Sequence, residues 1–441
     1  MIVMLKQGLR YSISLLLLVF ALTAQVYAGG GYFAMGYGPI AWQLAGAVTA
    51  VSEDAFAGAT NPAKLSVAGN RLDLSLTLLN PNRKVERTGA TGPASAYNFS
   101  STSANSLFFV PEFAYSRQVN EQLAIGISAY ANGGMNIEYR DTTGIPATNL
   151  NPALCGTKPG NFMGGCGKLG FDMGQFIVAP TLAWQFAPGQ SLGISPLLTL
   201  QMFKAYGLQA FAPSSGSPRH VTNNGQDYAL GAGVRVGWLG EFKPWLSLGA
   251  AYSSKIYMQD FDKYKGLLVE GSFDIPANYN IGIAIKPRPD WLLAFDIQRI
   301  EFRGVRALSN GILPSLSDPL ANPLGSKSGS GFGWQRDQTN YKLGVIYNAT
   351  PQLTLRAGYT YGQRANDNDL NAVSFGVLAV NPIRAASVGM SWKTDSGSEL
   401  HMGFARMDGT KYKGPSAIFP GAKESVRPYV YAVNIAWSQT M

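Results

Sequence analysis

The sequence predicts an all-β protein: a transmembrane antiparallel β-barrel of about 14 strands, with a small helical N-terminal hatch plugging the lumen. Segments of about ten residues in which apolar and polar side chains alternate recur to the end of the chain, as in membrane barrels. Charged residues are 14% of the chain and aromatic residues 12%, whereas soluble proteins are roughly a quarter charged. One stretch of about forty residues near the N terminus does not alternate, and it fits inside the predicted cylinder.

Residues 1–28 have the organisation of a secretory signal peptide. Lys6 and Arg10 form a basic start, residues 12–23 form an apolar run, and Val26-Tyr27-Ala28 ends it with small residues at the positions that a signal peptidase reads. The alternative is a spanning helix, but about a dozen apolar residues are too few for a hydrocarbon core that needs roughly twenty. We expect cleavage after Ala28 and export of a chain without a helical anchor.

Residues 29–69 are the predicted hatch and residues 70–441 the predicted barrel. The hatch is rich in small residues and carries only Glu53, Asp54 and Lys64 as charges. Asn61-Pro62 is expected to end a hatch helix, because the residue before proline disfavours the helical conformation.

The barrel strands are predicted from their alternation. The first places Leu72, Leu74, Leu76 and Leu78 on one face, the second centres on residues 107–115, and the third begins at Leu123. An even strand number returns both ends of the chain to the periplasmic side, with short turns there and long loops outside. A soluble sandwich or propeller is the alternative, but no motif repeats at a fixed period. Further strands are predicted near residues 168–186, 191–208, 226–241, 245–261, 273–286, 291–303, 339–348, 353–363, 384–393, 399–408 and 427–441.

The formal charge is +9, and the scattered basic residues of an exported chain favour phosphorylated lipid headgroups or anionic cargo over nucleic acid. Cys155 and Cys166 lie in one glycine-rich loop, where a disulfide is expected in an oxidising compartment; two free thiols are the alternative. Two thiols are too few for a metal site, and the nearest histidine is His220. We expect neither a metal nor a cofactor.

Several motifs occur in a shared order along the predicted strands. The most specific is Asp54-Ala55 followed by the stretch 59–63, which contains Asn61, Pro62 and Ala63. The others are Asn132-Gly133-Gly134-Met135 and the stretches 276–282 and 355–359. With these motifs the chain resembles the long-chain fatty acid and hydrocarbon transporters of the outer membrane, the FadL/TodX type, over essentially its whole mature length.

The resemblance implies a third strand that bends inward and leaves an opening in the wall. Gly133 and Gly134 give a physical reason, because glycine within a strand marks a bulge or bend, and Asn132 tolerates the left-handed conformation that a bulge can require. A pliable patch without an opening is the alternative.

The resemblance also implies uptake of long-chain fatty acids or related hydrocarbons. The expected route is capture at extracellular loops, binding next to the hatch and lateral exit at the third strand. A general diffusion porin or a structural outer-membrane protein is the alternative. An enzyme is disfavoured, because His220 and His401 are the only histidines and no Gly-x-Ser-x-Gly elbow is present.

The candidate site residues fall into two groups, for which ordinary packing is the alternative role. Ligand contact is expected from Tyr32 and Phe33 of the hatch, from Lys204, and from the loop residues Leu313 and Leu316, with Leu308, Ile312, Leu320 and residues 370–378 as further apolar loop candidates. Hatch anchoring is expected from charges on lumen-facing positions, which must pair or stay hydrated: Glu112, Arg235, Asp296, Lys342 and Arg356.

The resemblance places the protein in the bacterial outer membrane as a multi-pass barrel. The expected partners are hydrophobic small molecules, outer-membrane lipids and lipopolysaccharide, and the barrel assembly machinery. A monomer is expected. The last residue is Met441, where such proteins usually end in an aromatic residue, and we interpret this as a tolerated departure.

Overall fold

Fourteen antiparallel strands form a closed barrel within the described part of the chain. The computed structural model describes residues 28–140, 152–366, 370, 382–409, 411–419 and 421–441. Each strand pairs with its neighbour in sequence, and the last closes on the first from Lys423 opposite Thr88 to Thr440 opposite Arg71. The strands are β1 Arg71–Thr88, β2 Phe108–Gln118, β3 Leu123–Tyr139, β4 Leu169–Ala187, β5 Gln190–Tyr206, β6 Asp227–Lys243, β7 Leu246–Ser253, β8 Asn278–Arg288, β9 Trp291–Ile300, β10 Gln338–Asn348, β11 Leu353–Gly362, β12 Pro382–Lys393, β13 Ser398–Gly409 and β14 Lys423–Thr440.

The remaining elements are short. Five helices of four to six residues are present among the described residues: α1 Gly38–Gln43, α2 Leu65–Ala68, α3 Pro152–Cys155, α4 Arg306–Ser309 and α5 Pro314–Ser317. The minor strands are Ala28–Gly30, Phe33–Ala34, Phe99–Thr102, Tyr257–Met258 and Tyr412–Pro415. Turns of 3-10 helix lie at Phe56–Ala59, Pro62–Lys64, Gly92–Tyr97, Gln209–Ser214, Pro218–His220, Asp262–Tyr264, Val269–Gly271 and Phe302–Gly304. Across the described ranges no helix has the length and apolar character needed to cross a membrane.

The alternation of side chains determines which face of each strand meets lipid. In β1, Asp73, Ser75 and Thr77 are buried, while Leu74 and Leu76 are exposed on the outside. Along β14, Val433 and Ile435 are likewise exposed. Apolar side chains outside and polar side chains inside are the arrangement of a membrane barrel, so the predicted faces are confirmed for these strands.

Short turns and chain ends share one rim of the barrel. Turns of two or four residues join β2 to β3, β4 to β5, β6 to β7, β8 to β9, β10 to β11 and β12 to β13. At this rim the Met441 N–H donates to the Asn70 carbonyl oxygen at 3.0 Å. The longer connections lie at the opposite rim, so the predicted alternation of connection lengths is confirmed.

Three predicted strand boundaries were wrong. The seventh strand ends at Ser253, because the chain turns away and returns only as the two-residue strand Tyr257–Met258 against β6. The eighth begins at Asn278, after Ile275 has formed a bridge to Ile256. The first strand continues to Thr88, beyond the predicted leucine face, because both of its faces are polar there and alternation gives no signal.

The segment from Tyr32 to Ser66 lies inside the barrel and is buried along most of its length. Helix α1 contacts β11, β12, β13, β14, β1 and β2, whereas the turn Pro62–Lys64 contacts β4, β5 and β6 on the other side. One short segment touches opposite walls only if it fills the space between them. The predicted signal peptide lies outside the described residues, apart from Ala28 at its end.

Candidate functional site

Asp296 on β9 holds the middle of the N-terminal segment. One carboxylate oxygen accepts hydrogen bonds from the Val48 N–H at 2.9 Å, the Thr49 N–H at 2.8 Å and the Thr49 hydroxyl at 2.7 Å. The Asp296 side chain is buried, so these donors replace the water that a charged carboxylate requires. The wall is therefore joined to the segment by charge-assisted hydrogen bonds.

Three of the other four predicted anchoring residues, namely Arg356, Arg235 and Glu112, also bind this segment. Arg356 on β11 forms an ion pair with Glu53 at 2.6 Å and donates to the Gln43 side-chain oxygen at 3.0 Å. Arg235 on β6 donates to the Gly58 carbonyl oxygen at 2.7 Å. Glu112 on β2 accepts from the Gly38 N–H at 3.1 Å.

Asn61 joins two turns of the segment to the wall. Its side-chain oxygen accepts from the Ala63 N–H at 3.1 Å, so it caps the turn that begins at Pro62 in addition to following the turn that ends at Ala59. Its side-chain nitrogen donates to the carbonyl oxygens of Thr49 at 3.0 Å and Trp238 at 2.9 Å. On the wall, a Cβ at Gly237 would overlap the Asn61 side-chain oxygen, so a glycine is needed for this approach.

Asn132 is a bulge residue in β3. The ladder to β4 pairs Ala131 with Phe176 and then Gly133 with Gln175, which leaves Asn132 as the extra residue. Its side chain points inward, where it accepts from the Tyr37 hydroxyl at 3.0 Å and donates to the Gln175 side-chain oxygen at 2.9 Å. The bulge predicted from the Asn-Gly-Gly sequence is therefore present in the fold.

The tip of the N-terminal segment lies against this bulge. Phe33 pairs with Gly133, and the Gly134 N–H donates to the Tyr32 carbonyl oxygen at 3.1 Å. A Cβ at Gly133 would overlap that carbonyl oxygen, so the first of the two glycines is required for the close approach.

The wall has a gap in its ladder next to the bulge. Pairing between β2 and β3 ends at Phe113 opposite Ala129. The two chains are joined again where the Ala104 N–H donates to the Glu138 carbonyl oxygen at 2.7 Å and the Asn105 side chain donates to Asn136 at 2.9 Å. From Ala129 to Asn136 is seven residue steps, which correspond to about 23 Å of strand.

Apolar side chains line the lumen beside the gap. Phe108 and Val110 of β2 pack in one buried cluster with Ala131 of β3 and with Ala34 and Met35 of the N-terminal segment. Apolar surface thus continues from the segment's tip to the edge of the gap.

Tyr32 and Phe33 belong to an aromatic cluster above the bulge. The Tyr32 ring lies 5.9 Å from the Trp334 ring, stacked on it, and 6.1 Å from the Phe302 ring. Phe33 meets Phe302 edge to face at 6.3 Å. All four side chains are buried.

An apolar cavity lies among the outer loops, with an empty volume of about 1090 Å³ that includes space open to solvent. Leu316 and Ile312 line it, whereas Leu313 is exposed and does not. Apolar loop residues were predicted to form a capture site, but the wall residues that complete the cavity were not. Phe171 and Phe203 line the cavity, and nothing in their sequence distinguishes them from other strand residues. The other lining side chains include Leu208, Phe211, Leu267, Leu268 and Phe332.

Lys204 lies away from the other candidate residues. It is on the outward-facing register of β5, 4.0 Å from Asp172 of β4. It does not line the apolar cavity of the outer loops. The loop candidates at 371–378 fall outside the described residues.

A second, polar cavity of about 420 Å³ lies between the N-terminal segment and the wall. Lys342 and Arg235 line it together with Asn278, Asn280 and Gln298. Lys342 is buried, opposite Asp296 in the ladder, and its ammonium group forms no hydrogen bond or ion pair within the described ranges. Among the residues that the structure describes, Lys342 is therefore a lumen cation whose ammonium group is available to a bound anion.

The charge inside the segment depends on pH. Burial raises the pKa of the Asp54 carboxyl to about 6, against the opposing attraction of Lys64. Asp54 accepts a hydrogen bond from the Phe56 N–H at 3.0 Å, and the neighbouring Ala55 N–H donates to Asp73 on the wall at 2.5 Å.

Cys155 and Cys166 are joined by a disulfide in the outer loop. Among the described residues no group of three or more histidine, cysteine or acidic side chains is arranged to hold a metal ion.

A fourteen-stranded barrel filled by its own N-terminal segment, with a gap at a wall bulge, defines a class of outer-membrane transport channel. The chain belongs to the outer membrane protein transport protein family (OMPP1/FadL/TodX), whose sequence profile matches residues 20–152 and 157–416. A comparison with curated protein sequences finds no match.

Solved structures of this fold cover nearly the whole chain. The P. putida toluene transporter TodX is 17% identical, with a TM-score of 0.62, over 92% of this chain and 99% of its own. A Pseudomonas aeruginosa FadL homologue is 13% identical, with a TM-score of 0.65, over 93% and 99%. The Ralstonia pickettii toluene transporter TbuX is 15% identical, with a TM-score of 0.58, over 92% and 99%. At these identities the likeness concerns the fold alone and confirms the predicted barrel, whereas the sequence profile confirms the predicted family.

Proposed function

We propose that the protein takes up hydrophobic compounds across the outer membrane, either long-chain fatty acids or related hydrocarbons. The cargo is captured in the apolar cavity of the outer loops, binds next to the N-terminal segment and leaves sideways into the lipid at β3. The observation that carries this proposal is the gap between β2 and β3, which coincides with the Asn132 bulge and with the apolar tip of the segment. Toluene transporters and a FadL homologue among the similar structures also favour hydrophobic cargo.

Partitioning supplies a reason for a sideways exit. Burying one CH₂ group of a cargo chain releases about 0.8 kcal/mol. An aqueous channel to the periplasm would require that energy to be returned, whereas exit into the bilayer retains it. The apolar wall cluster that includes Phe108 and Ala131 provides a surface on which the cargo stays out of water between the lumen and the gap.

Residues 29–69 act as a hatch in this proposal, and residues 70–441 as the barrel. The anchors Asp296, Arg356, Arg235 and Glu112 hold the hatch body, so passage requires only its tip at Tyr32 and Phe33 to move. Phe332 lines the outer cavity and meets Phe273 edge to face at 5.7 Å. The Phe273 ring lies 6.0 Å from the Tyr32 ring, so a chain of aromatic rings leads from the cavity to the hatch tip.

Deletion of Asn132 tests the exit. The deletion removes the extra residue, so β3 can pair in uninterrupted register and extend its ladder towards β2. We expect uptake of radiolabelled oleate or toluene by cells to fall to the level of a strain without the protein, while the barrel still shows the heat-modifiable gel mobility of a folded β-barrel.

Asn132→Ala is the matched control. It keeps the length of the bulge but loses the side-chain bonds to Tyr37 and Gln175, and we expect most uptake to remain. Wild-type uptake by the folded deletion variant would rule out exit at this gap.

A general diffusion porin is the alternative function. A lumen filled from Tyr32 to Ser66 favours the transporter, and planar-bilayer recordings separate the two, because a porin gives large steady conductance steps. The family is one of transport channels and not of enzymes. In the outer membrane we expect a monomer that contacts lipids and lipopolysaccharide and is inserted by the barrel assembly machinery.

A further inference from the structure

A cluster of basic side chains lies on the outside of the barrel near the rim of the long loops. Five of its cations are on β1, β12, β13, β14 and the short strand Tyr412–Pro415, which are neighbours around the wall, and the sixth directly precedes that short strand. We call it the outer basic patch, and it consists of Lys84, Arg384, Arg406, Lys411, Lys413 and Arg427, all of them exposed.

Two of these cations lie directly opposite each other. Arg427 of β14 is the ladder partner of Lys84 of β1, an arrangement that destabilises a sheet when the charges are alike. Lys84 has one neighbouring carboxylate, Glu86, at 2.6 Å. Arg427 has no ion pair with any residue that the structure describes. The sheet therefore carries a repulsion that an anion from outside the chain would relieve.

On the side of the outer basic patch that faces the middle of the barrel, two of its arginines lie over tyrosine rings. The Arg406 guanidinium lies over the Tyr429 and Tyr431 rings, at 6.0 and 5.6 Å from their centroids, and forms an ion pair with Asp408 at 3.0 Å. Arg384 lies over the Tyr361 ring at 6.0 Å. Stacking on tyrosine holds a guanidinium in place. Nε and Nη2 of Arg406 also donate to Asp408, which leaves Nη1 to meet an anion.

Below the tyrosines the same strands present lipid-facing apolar side chains. Val388, Phe404, Val433 and Ile435 are exposed on the outside. From Trp437 to Tyr429 is eight residue steps, which correspond to about 26 Å of strand, or about 20 Å along the membrane normal at the usual tilt. This is close to the height of the apolar band of outer-membrane barrels, so the patch lies at the level of the outer-leaflet headgroups.

We propose that the outer basic patch binds the phosphate groups of a phosphorylated glycolipid of the outer leaflet, with the acyl chains packed on the apolar strip beneath. Charge complementarity selects the headgroup, because arginine and lysine both form charge-assisted bonds to phosphate oxygens. The apolar strip distinguishes a lipid from a free anion. The assignment depends on the orientation of the barrel and is independent of the cargo and its exit.

Native mass spectrometry of the full-length protein in detergent tests the proposal. The probes are bis-phosphorylated lipid A, the same lipid without its phosphates, and inorganic phosphate. We expect the wild-type protein to retain the phosphorylated lipid at least about tenfold more tightly than the phosphate-free lipid, with affinity that falls as salt is added. Excess inorganic phosphate should displace it only partially, since the acyl chains contribute separately.

The variant pair Lys84→Ser with Arg427→Ser should lose most of the preference for the phosphorylated lipid. The control pair Lys243→Ser with Lys286→Ser removes the same charge from exposed positions at the opposite rim, and we expect it to behave as wild type. Equal retention of both lipids by the wild-type protein would overturn the proposal without any variant. Equal loss of the preference for the phosphorylated lipid in the two variant pairs would overturn the assignment of the site. Complete displacement of the lipid by inorganic phosphate would overturn the assignment of a lipid as the ligand.

Discussion

Replacement of Asp296 by alanine should release the middle of the N-terminal segment from the wall. The change leaves the Val48 and Thr49 N–H groups and the Thr49 hydroxyl without their acceptor. It also leaves the buried cation Lys342 without the carboxylate opposite it. Leaving a buried donor without its acceptor costs about 1–3 kcal/mol, so the loss of these three bonds should make local opening of the segment easier by at least about 3 kcal/mol.

Amide hydrogen exchange, measured by mass spectrometry, reports this local opening of the segment directly. Because each 1.4 kcal/mol is a factor of ten, exchange in the peptide that contains Val48 and Thr49 should accelerate by at least about a hundredfold, while exchange in the barrel strands changes little. Single-channel conductance in planar bilayers should rise as the segment loosens.

Asp290→Ala provides the control. Asp290 is in the turn before β9, where it pairs with Arg288 in an exposed position, and such pairs contribute little. Unchanged exchange at Val48 and Thr49 in folded Asp296→Ala protein would refute the view that this carboxylate anchors the segment.

Three further predictions concern single side chains. The raised pKa of Asp54 stabilises the docked segment most at pH values below the usual carboxyl pKa, by up to about 3 kcal/mol, and this contribution is lost as the pH rises through about 6. Protection of residues 52–58 against amide exchange, expressed relative to the intrinsic exchange rate at each pH, should therefore fall between pH 4 and 7, and Asp54→Asn should remove that fall. If the polar cavity receives the carboxylate of the cargo, Lys342→Met should reduce the ability of an unlabelled fatty acid to compete with the uptake of labelled cargo. It should not change competition by an unlabelled neutral hydrocarbon. An equal effect of the substitution on both competitors would exclude that role. Leu316→Ser should lower uptake at limiting cargo concentration because it introduces a hydroxyl into the apolar cavity, whereas Leu320→Ser, at a fully exposed loop position, should not.

Much of the barrel could be predicted from sequence because period-two alternation is a local property. Each lipid-facing strand, such as β14 with Val433 and Ile435, shows its outer face within ten residues. The lumen charges followed from the same parity, and Asp296 and Arg356 do point inward to the N-terminal segment. Where both faces are polar, as in β1 beyond Leu79, the signal disappears and the strand was predicted too short.

Features that depend on contacts between distant segments could not be predicted in the same way. The Asn-Gly-Gly sequence indicates a bulge, but the length of the gap depends on where β2 stops pairing with β3. The face of β5 on which Lys204 lies could not be predicted, because both faces of the strand carry apolar side chains near it. Leu313 and Leu316 are equivalent in sequence, and only the packing of helix α5 turns Leu316 into the cavity.

The N-terminal segment is held by two kinds of contact, and this difference matters for the proposed transport. Its body is joined to the wall by buried charges, such as Asp296 and Arg356, with which an apolar molecule cannot compete. Its tip at Tyr32 and Phe33 is held by aromatic packing and by a backbone contact with Gly134, and an apolar cargo offers contacts of the same chemical kind. Contacts between cargo and the tip can therefore replace the aromatic contacts that the cargo displaces. The tip is thus the part of the segment that hydrophobic cargo moves at the lowest free-energy cost.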